Sequence, residues 1–406
     1  MTVFCPFAAG YFLSFFFRNV NAIISKDLAA EFALTPSDLG LLTSMYLLAF
    51  AAFQLPLGVL LDRYGPRRVV AALLCSAALG ALVFGLASNI VTLSVGRALI
   101  GLGVSAGLMG AIKAFSLWFP LSRLATLNGL YLAMGGLGAL SATTPAELVV
   151  EGVGWRGMFF ILSALSLAAA SLIFFIVPEK PLPGSGHTLR SQVAGFGSIF
   201  SSVAFWRIAL PMVLVQATYI ALQGLWIGPW LYDVAGESRP AVANHLLLMA
   251  LGYILGCVFF GVVSDRLAHL GISRMTVYKA GLAGSLAMLG LLAAGVHGAP
   301  GVLLAVYAFT GIAASLAYAL LTPLFAPEMT GRVNTAANVL MFALSFAMQW
   351  GIGAALKLFP VVDGRYAAAG YGTAFASLAA LQLAAVLWLL PMRNPEPPAQ
   401  RGQPRL

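Results

Sequence analysis

From Gly58 to Arg68 the chain reads GVLLDRYGPRR, and from Gly261 to Arg266 it reads GVVSDR. Each segment closes an apolar run and delivers an Asp-Arg pair. A second echo keeps the same order. RLAT at Arg123–Thr126 and RVNT at Arg332–Thr335 each open a later apolar run. Two signals that recur in one order mark two parallel repeats within a single chain of 406 residues.

Around these landmarks the chain is 61% hydrophobic and 9% charged. A soluble domain carries about 25% charged residues, so lipid must be the solvent for most of this surface. Crossing a hydrocarbon core of ~30 Å takes roughly 20 apolar residues as a helix. Only helices or closed barrels satisfy the backbone there, and these runs do not alternate, which excludes a barrel. Helices are expected at 8–30, 38–61, 68–88, 92–118, 124–149, 156–177, 207–231, 241–264, 275–296, 300–323, 334–357 and 369–391. The longest interruption is rich in Pro, Gly and Ser and divides the helices six and six.

The expected fold is therefore all-α and integral to the membrane, with twelve transmembrane helices in two pseudo-symmetric six-helix bundles. The first bundle covers 1–177, a cytoplasmic linker 178–206, the second bundle 207–392, and a polar, Pro-rich tail 393–406. The tail has no periodic pattern and is expected to be disordered. The apolar opening lacks a small-residue cleavage site and reads as a retained first helix.

The net charge is +9. On a soluble chain that excess would suggest nucleic acid. Here the basic residues occupy short loops between apolar runs, which is the positive-inside pattern. Thirteen loop cations fall on one side and five on the other, placing both termini in the cytoplasm of a bacterial inner membrane. Cys5, Cys75 and Cys257 lack metal-ligand spacing and read as small core residues. The four histidines are scattered, and the chain has no HExxH, no phosphate-binding Gly-Lys-Ser/Thr loop and no Gly-x-Ser-x-Gly element. No enzyme, cofactor or metal is expected, and the functional unit is expected to be a monomer.

The segment GVLLDRYGPRR resembles the signature loop of the major facilitator superfamily, between its second and third helices. RALIGLG at Arg97–Gly103 resembles the family's fourth-helix element. WFP at Trp118–Pro120 and GWRGMFF at Gly154–Phe160 are similar to features of bacterial members related to nitrate/nitrite and organic-anion porters. The resemblance spans essentially the whole chain and implies the major facilitator fold. It gives Gly58, Asp62, Arg63, Gly65, Arg67 and Arg68, with Asp265 and Arg266 in the second half, a conformational role as an inner latch. The fifth helix lacks the GPxxGG run of drug–proton antiporters. The arginines that nitrate porters of the family carry in helices two and eight are missing from 38–61 and 241–264.

Arg18 lies near the middle of the first helix, in SFFFRNVNAII. An unpaired cation there costs at least about 2.5–3.5 kcal/mol, so it requires a counter-charge, a wet cavity or an anionic substrate. Tyr11, Ser14, Arg18, Asn21 and Ser25 share one face at helical spacing. Two readings stand: an anion-binding cation lining a cavity, or a structural Arg held by backbone carbonyls or a distant carboxylate. Lys113 likewise reads as a substrate contact or a link between helices, and Arg97 as structural.

The seventh helix carries Gln216, Tyr219, Gln223, Trp226 and Trp230 at steps of three and four. The first three suit orientation of a polar solute, and Trp230 reads as an interface anchor. Tyr318 and Asn338 add polar groups from the tenth and eleventh helices. No acidic residue falls at a helix centre, so proton symport would have to run through Glu147 or His245. The candidate substrate site is Arg18, Asn21, Lys113, Gln216, Tyr219, Gln223, Tyr318 and Asn338. A cationic site without acids suits a small organic anion, a carboxylate, moved by secondary transport. The alternatives are an inorganic anion such as nitrate or nitrite, efflux of amphipathic compounds, and a non-transporting membrane sensor.

Overall fold

Short polar residues ahead of the apolar runs set where helices begin. Thr35 accepts from the Asp38 amide while Asp38 accepts from the Thr35 amide, a reciprocal cap with Pro36 in the first turn. Asn89, Ser202 and Ser273 each accept from an amide three residues on and start later helices the same way. A computed structural model gives the architecture and describes residues 2–179, 197–325, 329–362 and 364–392. Among them, ten helices are long and apolar enough to cross a membrane, or eleven if one bent pair counts as a single span. Residues 180–196 of the expected linker and the expected tail from Arg393 lie outside the described residues.

The bent pair is the expected first helix. It is two pieces, α1 (Phe4–Asn19) and α2 (Asn21–Phe32), set 47° apart. The break has a local cause and a distant partner. Asn19 turns its side chain back onto the Phe15 carbonyl at 2.8 Å, competing with the helical ladder. Ending α1 leaves its last carbonyls without helical donors. The Val20 amide takes the Phe16 carbonyl, and Arg97 Nη1 donates to the Phe17 carbonyl at 2.9 Å. Arg97 is 1% exposed and lies over the Tyr46 ring at 5.0 Å. Its guanidinium thus holds the bend from α4 (Ile90–Val104).

The quoted loop is the tip of a helical hairpin, α3 (Pro36–Gly85). Gly65 adopts φ 80°, a left-handed geometry that side chains with a Cβ resist. The chain reverses there, so that Leu61 and Val70 both lie beside Gly110. Gly110 belongs to α5 (Gly107–Trp118), which continues α4. A turn at Ala142–Thr143 interrupts the fifth expected helix, and a break at Gly154 separates it from the sixth, where the sequence reading also divides them. Helix α6 (Leu121–Ser141) stops at a turn, and α7 (Thr144–Ile176) begins before a second break at Gly154.

The second half begins with α8 (Val203–Ala221), a wide turn at Leu222–Trp226, and α9 (Ile227–Asp233). The wide turn closes from the Ile227 amide to the Leu222 carbonyl, a geometry that inserts an extra residue and rotates the helix beyond it. Trp226 and Trp230 are consequently packed in the core at 0% and 1% exposure. Trp230 is not the interface anchor its position suggested. Helices α10 (Arg239–His269), α11 (Arg274–Ala293), α12 (Pro300–Gly311), α13 (Leu316–Leu321), α14 (Thr330–Leu356) and α15 (Ala368–Leu389) complete the chain. A two-strand hairpin, Val361–Val362 against Arg365–Tyr366, joins the last two. The cysteines correct the sequence reading: Cys5, Cys75 and Cys257 are exposed rather than buried.

Replacing Arg97 with Leu removes the donor to the Phe17 carbonyl. It should cost about 1–3 kcal/mol, read as a lower melting temperature in detergent.

Candidate functional site

The two ends of the molecule differ in what crosses between the early and late helices. At one end Arg239 of α10 donates to Asp27 of α2 through two bonds of 2.8 Å, and to Glu147 of α7. Lys26 pairs with Asp233 at 3.5 Å, and Thr144 donates to Asn244 at 3.0 Å. The backbones also touch. A Cβ on Gly228 would sit 2.3 Å from the Ala22 carbonyl oxygen, so only glycine permits this approach. Trp226 packs against Gly40 and Gly353 and donates to the Gln349 carbonyl at 2.7 Å.

At the other end, ion pairs between described residues stay within the first half. Lys113 pairs with Asp62, and Arg67 and Arg68 reach Glu179 at 3.7 and 2.7 Å. Arg67 also donates to the Phe174 carbonyl at 2.8 Å, and Arg63 lies over its neighbour Tyr64. Gly58 sits one helical turn before Asp62 on α3. Arg266 is exposed, and the side chain of Asp265 lies outside the described residues.

Between these ends lies a solvent-open cavity of about 670 Å³. It is lined by α1, α3, α5 and α6 from the first half, and by α8, α10, α13 and α14 from the second. Six of the eight residues singled out from the sequence reach it: Arg18, Gln216, Tyr219, Gln223, Tyr318 and Asn338. Arg18 is the one charged side chain of the described wall. Its guanidinium carbon lies 4.6 Å from the Phe15 ring centre, 5.1 Å from Phe342 and 5.5 Å from Phe50. Its Nε is buried without a hydrogen-bond partner, and no described carboxylate pairs with it.

The amides of Gln216 and Gln223 face the cavity and have no hydrogen-bond partner among the described residues. Tyr318 donates to Asn338 Oδ1 at 2.5 Å, tying α13 to α14. Tyr219 stacks on Tyr253 with ring centres 4.9 Å apart.

Asn21 and Lys113 do not reach the cavity. The break after α1 rotates α2 off the polar face, so Asn21 is buried against Thr43 at 3.1 Å. Lys113 is turned toward Asp62 of α3 instead of inward. Other residues were not anticipated. Gln54 donates to the Ser105 carbonyl at 3.1 Å and lines the wall. It stands as a lone amide in the apolar run LAFAAFQLPLG, and that interruption was the available signal. The Asp27–Glu147–Arg239 cluster joins residues whose separation in sequence concealed it.

Helices from both chain halves around one central cavity, with a polar lining and closure at one end, form the frame of a solute carrier. The Major Facilitator Superfamily family model matches residues 7–349. The chain belongs to the Major Facilitator Superfamily. It is 26% identical over 295 residues to a probable sulfoacetate transporter of Cupriavidus necator, covering 68% of each chain. It is also 26% identical to the hexuronate transporter of Escherichia coli K12, over 95% of this chain and 92% of that one. Among solved structures, a bacterial homologue of the human lysosomal transporter Spinster, inward-facing and unoccupied, superposes with a TM-score of 0.76. That likeness covers 96% of this chain and 94% of the other at 16% identity, and it concerns the fold alone. Proteins of this superfamily are transporters of small molecules, not enzymes.

Lys113→Met should lower stability by breaking the α3–α5 pair and leave ligand affinity unchanged. Equilibrium binding on the purified variant, beside its melting curve, checks both halves of that statement.

Proposed function

We propose that this major facilitator is a secondary transporter that binds a small organic anion at Arg18 and moves it by alternating access. The observation that carries this reading is the state of Arg18: a cation facing the cavity, held by aromatic faces, with no described acid to neutralise it. Burying an arginine at membrane depth costs at least about 2.5–3.5 kcal/mol on insertion scales. Each cation–π contact returns up to about 2 kcal/mol when desolvated, which tolerates the charge without cancelling it. A substrate anion supplies the missing partner. The sulfoacetate and hexuronate relatives carry organic anions by name, in keeping with this reading. An ion as small as nitrate leaves most of a 670 Å³ cavity unfilled, which favours the organic class.

The proposal includes twelve spans in two six-helix halves, divided by the linker after Val177. Helix α6 and the start of α7, up to the break at Gly154, together make one span. Both termini face the cytoplasm of a bacterial inner membrane, and the monomer is the working unit. Arg63, Arg67 and Arg68 then face the anionic inner leaflet, and the Arg239 cluster lies outside. The described conformation would be open to the cytoplasm, with the outer end closed by Arg239 gripping Asp27 and Glu147. The Gly58–Arg68 loop, with Asp62 held by Lys113, and the Asp265–Arg266 echo would form the inner latch of the opposite state.

Arg18→Ala should abolish uptake into proteoliposomes while the variant still inserts and keeps its melting profile. Normal uptake by that variant would remove Arg18 from the site. Arg239→Ala should open the outer end. A cysteine placed at Ala22, on a background lacking the native thiols, should react with an impermeant maleimide several-fold faster than without Arg239→Ala. Unchanged labelling would show that this cluster does not hold the closed state.

A further inference from the structure

The cavity wall sets limits on the substrate beyond the presence of a negative charge. One guanidinium balances one charge. A dianion in this cavity leaves a second charge facing Phe, Leu, Ile and Tyr side chains with no cation in reach, because no other described lining residue is charged. Burying an unpaired charge among apolar groups is disfavoured far more than burying a neutral ring.

The body of the substrate is limited in the same way. Phe15, Phe50 and Phe342 surround the cation within 5.5 Å, so whatever binds Arg18 brings its own body against three aromatic faces. Further along, the stacked Tyr219–Tyr253 pair offers another flat surface. Aromatic groups pack favourably on such faces by offset stacking or edge contact. Beside the amides of Gln216 and Gln223, the polar groups of the wall are mostly hydroxyls on or next to aromatic rings, those of Tyr11, Ser14, Tyr219 and Tyr253, while Gln54 is engaged by Ser105 and Tyr318 by Asn338. A polyhydroxylated acid bound at Arg18 would press hydroxyls against the three phenylalanine faces, and each hydroxyl left there without a partner costs about 1–3 kcal/mol. One polar substituent opposite the carboxylate is matched by the two glutamines.

We infer that the substrate is a monocarboxylate with an aromatic body and at most one or two polar substituents, the chemistry of a hydroxybenzoate. This rests on the reading of Arg18 as the anion site. It separates the chain from the solutes named for its relatives: sulfoacetate carries two charges, and a hexuronate several hydroxyls.

The test is binding to the purified full-length protein, read as thermal stabilisation across a concentration series and converted to Kd. The probes are 4-hydroxybenzoate, its neutral amide, phthalate as an aromatic dianion, glucuronate and sulfoacetate. The expected order places 4-hydroxybenzoate at least tenfold tighter than phthalate, glucuronate and sulfoacetate, with no stabilisation by the amide. Phe342→Leu keeps an apolar group of similar size and should narrow the preference over glucuronate several-fold without loss of fold. Tighter binding of phthalate, glucuronate or sulfoacetate than of 4-hydroxybenzoate, lost in Arg18→Gln, overturns the aromatic monoanion and leaves the anion site standing. Binding of any of these anions that is unchanged in Arg18→Gln, or no binding by any of them, overturns both.

Discussion

A guanidinium placed at membrane depth without an acid beside it constrains everything around it. Three phenylalanine faces stabilise the charge while leaving its hydrogen-bonding edge without a protein partner. Had a carboxylate stood in the wall, Arg18 would be a structural residue and the cavity electrically silent. The described acids stand away from the cavity wall instead. Asp27, Glu147 and Asp233 all engage cations at the closed end. The same chemistry therefore serves two purposes in the proposed reading: paired charges hold helices together, and the unpaired charge is left for a ligand.

The break in the first helix links these purposes. If α1 and α2 were one straight helix, Asn21 and Ser25 would continue the polar face of Tyr11, Ser14 and Arg18. The 47° bend ends that face near Arg18 and carries α2 into the closed end, where Asp27 meets Arg239 and Ala22 touches Gly228. Arg97 stabilises the bend by taking the Phe17 carbonyl that the break sets free. One irregularity thus connects the cavity to the interface between early and late helices.

Much of this was legible in the sequence because the bilayer imposes simple rules. Long apolar runs, the repeated Asp-Arg loops and an isolated mid-helix Arg are one-dimensional signals. The cavity residues Gln216, Tyr219 and Gln223 were readable because the regular part of α8 preserves helical spacing. What was not legible depended on departures from a regular helix. A break misplaced Asn21, a wide turn carried Trp230 into the core, and a turn at Ala142–Thr143 interrupts the expected fifth helix. The Asp27–Glu147–Arg239 cluster was hidden for another reason: each member looks like an ordinary loop-end charge until the halves are brought together.

The most direct measurement is a structure of the protein bound to 4-bromobenzoate, with bromine located by anomalous scattering. The account predicts bromine in the cavity between α1 and α14, with the carboxylate within hydrogen-bonding distance of the Arg18 guanidinium. Bromine beside Arg239 or Lys113, with Arg18 left without an anion, would contradict it.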